Sequence, residues 1–193
     1  MQSVVLLLRW KNILIELNKA ISNQLSGFVL KAFCFYAIWQ ISYDFFILPD
    51  GRVDDFLALT VVSSAKYLLS ILGWEIYSLG RLIYIDGYRS VEVLNGCNAL
   101  ALMVLYSGFI ISFSGKIFNK IKFIIFGVFI IFTLNIVRIM SFSLATVYFQ
   151  HHWDLFHEFS PFLFFYPVVL FLWYQWTIIG QGTTPSQPRL SLR

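Results

Sequence analysis

Four runs of this chain, roughly 28–48, 98–115, 123–149 and 159–179, are apolar over a helix-forming length. Crossing a bilayer takes about 20 such residues. Backbone groups in hydrocarbon must bond within their own segment, so these runs fold as helices and pack side by side. Composition agrees. Only 12% of the residues are charged and 59% are hydrophobic, whereas a soluble domain carries about 25% charged residues. The many Phe and Tyr residues suit a lipid-facing surface with interfacial anchors. The expectation is a mainly α, polytopic membrane bundle of about four transmembrane helices. The length allows one domain, placed at 1–179, with a flexible, polar cytoplasmic tail at 180–193. The net charge of +4 is modest, and the basic residues form no stripe interleaved with exposed aromatics. Nucleic acid is therefore excluded as a partner.

The opening MQSVVLLLRWKNILIELNKAI has nothing basic before its short apolar run, and Arg9, Trp10 and Lys11 follow it. That order is wrong for a secretory signal and predicts an N-terminal amphipathic helix at the interface. Arg9, Lys11 and Lys19, then Lys116, Lys120 and Lys122, then Arg189 and Arg193, form three basic groups. The positive-inside rule places all three in the cytoplasm. The number of spans between the first two groups is then even, and 28–48 and 98–115 supply two. The stretch 56–74 therefore does not cross and is expected as an external helix. Between 75 and 97, RLIYI and RSVEV flank Asp86-Gly87, a strong hairpin signal. A small external β-hairpin thus delivers Cys97 to the outer mouth of the second span.

Three polar groups converge on that face: Cys97; Asn135 with Arg138, which share a helix face at i, i+3; and His157. Cys97 reads either as a nucleophile, whose thiolate a neighbouring cation favours, or as a small apolar residue. Cys34 suits the second description. It lies among phenylalanines about 21 Å from the outer end of its span by helical rise, too deep to pair with Cys97. Arg138 is either an oxyanion-binding group or a side chain snorkelling to headgroups. His157 competes with His151 and His152, and Asp154 is placed to orient it. The three histidines with Cys97 could alternatively hold zinc, although the spacing is not a standard one. Glu92 stands near Cys97, either tuning it or solvated.

The ordered set Cys97, Asn135-x-x-Arg138 and His157 resembles the exosortase/archaeosortase family. So does the lead-in of an external helix ending in LLSILGWEI, then strands, then the cysteine. The resemblance covers roughly 45–179, and the short length with the NGCNAL context is similar to the small exosortase F type of Bacteroidetes. Two positions depart from the family pattern. Cys97-Asn98-Ala99 stands where Cys-Ser-Gly is usual, and Ser160-Pro161 follows the histidine segment where glycine is frequent. The resemblance implies a membrane-embedded cysteine peptidase/transpeptidase, facing the periplasm from the bacterial inner membrane. Its partners are the lipid bilayer, the C-terminal sorting signals of exported proteins, each with a transmembrane segment, and an unknown acceptor nucleophile. It further implies Cys97 as nucleophile, Arg138 as transition-state stabiliser and His157 as acid/base, with Asn135 supporting the guanidinium and no cofactor or metal. Two other readings stand beside it: a non-catalytic membrane subunit of an export or assembly system, and an external thiol oxidoreductase. The second lacks a partner cysteine at the same depth.

Overall fold

The computed structural model describes residues 2–148 and 153–182, with side chains from 22–148 and 157–180. The chain is the expected mainly helical membrane bundle with a small sheet. Helix α1 (Gln2–Ser42) passes through a π-helical turn (Tyr43–Ile47) into a short α2 (Leu48–Asp50). Gly51, at φ 70°, reverses the chain into α3 (Arg52–Ile71). Strands β1 (Ile76–Leu79), β2 (Leu82–Ile85) and β3 (Tyr88–Glu92) follow, then a 3-10 turn (Asn95–Cys97). Helices α4 (Leu100–Ser112), α5 (Ile117–Tyr148) and α6 (Trp153–Ser160) come next, and a second π-helical turn (Pro161–Phe165) leads into α7 (Tyr166–Gly182).

Three helical stretches among the described residues are long and apolar enough to cross a membrane: Ser22–Asp50, Ile117–Tyr148 and His157–Gly180. This makes the chain a multi-pass membrane protein. The run expected at 98–115 is helical only over α4, 13 residues and so about 20 Å long, against a hydrocarbon core of about 30 Å. Its start is set by Ala99, held in the left-handed region at φ 64°, and its end by extended Phe113. The stretch 56–74 is not among the spans. It forms α3, whose buried stripe of Ala58, Val61, Val62, Ala65 and Leu69 has the spacing of a helix with one covered face.

At the N-terminus the expected helix is present and continues without a break into the first span, which begins at Ser22. The helix runs unbroken from Gln2 to Ser42, because no proline or glycine interrupts the sequence before Gly27. The side chains that would test an amphipathic face at 2–21 lie outside the described residues, as does the tail at 183–193.

The hairpin forms as β2–β3 around Asp86 (φ 49°) and Gly87 (φ 83°), the two positive dihedrals that an Asp-Gly hairpin turn requires. An unexpected strand, β1, extends it to a three-stranded antiparallel sheet in the order β1-β2-β3.

Two cores result. The outer one joins α3 and α5 to one face of the sheet through Ile83, Ile85, Val91 and Val93, with Cys97 packed against it. The inner one joins α4, α5 and α7 around Tyr106, Ile131 and Trp176. Close approach of α4 and α5 depends on Gly127, where an added Cβ would overlap the ring of Tyr106. That ring is fully buried and its hydroxyl donates to the Phe123 carbonyl at 2.8 Å, so it has no cheap escape. Gly127→Ala is expected to destabilise the protein by about 1–3 kcal/mol through overpacking. A lowered thermal unfolding midpoint in detergent is the readout.

Candidate functional site

Cys97 sits where the two cores meet, in the 3-10 turn between sheet and α4. The turn is held from both sides by the first turn of α3. Asp54, fully buried, accepts 2.5 Å and 3.3 Å hydrogen bonds from the Asn98 amide and the Tyr43 hydroxyl. Asp55 pairs with Arg81 at 2.7 Å, and Arg81 also donates to the Asn95 side chain. Asn98 in turn accepts from the Leu100 backbone at 3.0 Å, which starts α4. Buried polar groups need such partners, and here the partners fix the residues before and after the cysteine. Ala99, where the resembled pattern has glycine, occupies a dihedral region that glycine enters without penalty and other residues enter at a cost of about 1–2 kcal/mol.

From the opposite side, the Asn135 amide on α5 donates to the Cys97 carbonyl at 2.9 Å. This corrects the expected role of Asn135: it holds the backbone of the cysteine, not the guanidinium fork. Arg138, three residues on, is only 6% exposed. Burial at that level does not fit a side chain snorkelling to headgroups. Its Nε donates to the Ser160 hydroxyl at 3.0 Å, and that hydroxyl donates to the His157 carbonyl at 3.0 Å. The guanidinium lies 4.8 Å and 5.6 Å from the ring centroids of Phe142 and Phe165, within cation–π range. One turn earlier on α5, Asn135 holds the Cys97 backbone, so the arginine and the cysteine lie in one layer. Among the described residues no carboxylate pairs with the guanidinium; the ion pairs there involve Arg52, Arg81 and Arg89. A buried cation without a carboxylate partner is costly and is suited to meet negative charge arriving from elsewhere.

Cys97 and His157 line one cavity of about 540 Å³, with Glu92 and Leu94 on one wall and Ile139 and Phe142 beneath. The His157 ring stands 5.8 Å from that of Phe142. Glu92 faces this cavity, and its carboxylate is paired with Arg89 at 2.8 Å. His151, His152 and the side chain of Asp154 lie outside the described residues. No cluster with metal-ligating character occurs among the described ones. Cys34 is exposed on α1, far from this layer.

The structure thus brings together Cys97, Asn135, Arg138 and His157 from three separate segments, the 3-10 turn, α5 and α6. A family model for the transmembrane exosortases matches residues 26–174, most of the chain. The chain belongs to that family. Exosortase membership places it among membrane proteins with a general transpeptidase or protease role. No curated protein and no solved structure matches it. Asp54, Asp55 and Arg81, which position the turn, and Ser160, which holds Arg138, were not singled out in the sequence for these roles. Ser160 stood there only as a departure from pattern. The one available signal for Asp54 and Asp55 was their type: acidic residues in the first turn of a helix with a covered face.

Proposed function

We propose that this exosortase is a cysteine peptidase/transpeptidase of the small exosortase F type, with Cys97, Arg138 and His157 as its catalytic residues. It cleaves C-terminal sorting signals at the outer face of the bacterial inner membrane. Both its termini, including the tail at 180–193, are cytoplasmic, and 1–179 act as one membrane-embedded unit. The observation that carries this reading is the buried Arg138, without a carboxylate partner among the described residues and held by the Ser160 hydroxyl, which also bonds the His157 carbonyl.

The chemistry follows from that placement. A sorting signal's membrane span docks beside the bundle, with its scissile peptide bond at the cavity. The Cys97 thiol gives its proton to His157, and the sulfur bonds to the carbonyl carbon. The oxyanion that forms is met by the guanidinium, which is buried against Phe142 and Phe165, where such a contact is stronger than in open water. As the C–N bond breaks, His157 protonates the leaving amine. The new carboxyl end remains as a thioester on Cys97 until an acceptor nucleophile attacks it and releases the thiol. Asn135, bonded to the Cys97 carbonyl, keeps the sulfur at a fixed height relative to Arg138.

Mass spectrometry of protein C-termini in cells with and without this chain tests the reading. Cells lacking it are expected to accumulate proteins that retain a short motif, a membrane span and a basic tail. Identical C-termini in the two cell lines would remove the peptidase function.

A further inference from the structure

The outer edge of β3 is open where it approaches Cys97, and we propose that the substrate docks there as an added β-strand running parallel to β3. The inference rests on the peptidase reading above and specifies how the substrate is held.

Backbone geometry sets which groups are offered. Val93 donates to the Arg81 carbonyl at 3.0 Å, so residues 93 and 81 form a hydrogen-bonded pair. Leu82 and Glu92 face each other one step along. Pairs in an antiparallel ladder alternate, so the N–H and C=O of Glu92 point away from β2. With the order β1-β2-β3, nothing in the sheet receives them. At the top of the strand α5 lies against β3, where the Ser90 hydroxyl bonds to Thr146 at 2.7 Å and to the Ser143 carbonyl at 3.3 Å. Below Ser90 the edge opens into the cavity shared with Cys97 and His157, and Leu94 is 58% exposed.

The direction of the strand follows from α5. The chain is beside Ser143 and Thr146 at Ser90 and beside Asn135 at Cys97. That stretch of helix is about 12–16 Å long, and the chain runs along it away from the outer tip. A substrate also runs from its exported domain inward to its membrane span, hence parallel to β3. At about 3.3 Å per residue, four or five substrate residues fill the trench before the scissile bond reaches the thiol. Main-chain pairing of this kind gives affinity, and alternate side chains give selectivity.

Glu92→Pro removes the outward N–H while leaving the β2 ladder intact, as proline on an edge strand can. Glu92→Ala keeps that N–H. The readout is the uncleaved protein that accumulates in cells lacking this chain. Glu92→Pro is expected to cut its processing about tenfold or more below that of Glu92→Ala, which lacks the same carboxylate but keeps the N–H, as for a backbone hydrogen bond left unmade. Equal processing by Glu92→Pro and Glu92→Ala overturns strand docking and leaves the peptidase reading standing. If removal of the chain changes no C-terminus, both fall. Membrane level and thiol labelling of Cys97 report whether Glu92→Pro folds. If it does not fold, a proline scan of the substrate upstream of its cleavage point decides. Blocks recurring at every second residue support the added strand, and tolerance at all positions overturns it.

Discussion

Cys97→Ala is expected to leave cells with the same uncleaved C-termini as cells lacking the chain altogether. Removing a nucleophile costs on the order of 10⁶ in turnover in well-studied hydrolases, which in cells is indistinguishable from deletion. The fold should scarcely notice the change. Cys97 is only partly buried at the margin of the outer core, and its position is fixed by backbone bonds to Asn135 and Leu94 and by the Asp54–Asn98 contact. None of these uses the sulfur. The variant protein should therefore reach the membrane at the parent's level, as an immunoblot of the membrane fraction would register. Because structure survives while chemistry is lost, the variant separates an enzyme from a non-catalytic export subunit. A subunit that works by binding alone would keep its function with alanine at 97, and such a result would end the peptidase reading.

Arg138→Lys is expected to lower processing about 10²–10³-fold although the charge is retained, the range for removal of a positioned oxyanion donor. The guanidinium does two things together: it donates through Nε to Ser160, and it lies over Phe142 and Phe165. A planar fork with fixed donors can do both and still offer N–H groups to an oxyanion. An ammonium is a compact, strongly hydrated point charge that has to choose among these contacts. Lysine would also leave the Ser160 hydroxyl without its donor, loosening the link to the His157 carbonyl. The measurement is the ratio of uncleaved to cleaved substrate at matched protein level. Near-parent processing by the lysine variant would take Arg138 out of the reaction and leave Cys97 and His157 to account for it.

The parts of this molecule that were legible in the sequence are those written in local pattern. Long apolar runs announce the spans, Asp86-Gly87 announces a hairpin, and the basic groups on either side, which call for an even number of crossings, keep 56–74 out of the span count. Cys97, Asn135, Arg138 and His157 were recognisable as an ordered set through the resemblance, and Asn135 and Arg138 stand out by themselves as costly polar residues inside an apolar run. What stayed hidden depends on partners distant in sequence. Asp54 meets Asn98 and Asp55 meets Arg81 only after the sheet has folded over α3, and no spacing rule links those positions. Asn135 was assigned to the guanidinium because the two share a helix face. The true partner is a backbone carbonyl 38 positions away, a contact with no sequence signature. The strand β1 escaped because IYSL is short and its turn at Gly80 carries no Asp-Gly signal.

The brevity of α4 has a consequence for the lipid around it. A helix of about 20 Å cannot match a hydrocarbon layer of about 30 Å, and such a mismatch is relieved by thinning the bilayer or by filling the gap with something polar. Here the gap lies above Cys97, at the level of Asn135, about 20 Å along α5 from its outer tip at Tyr148. Strand edge, trench and His157 occupy it in place of acyl chains. Water can thus descend to a depth that is oily elsewhere around the bundle, and the barrier is locally thinner by about a third. On the proposed reading, a peptide bond at the outer end of a substrate's span would meet the thiol without that span being drawn far out of the membrane.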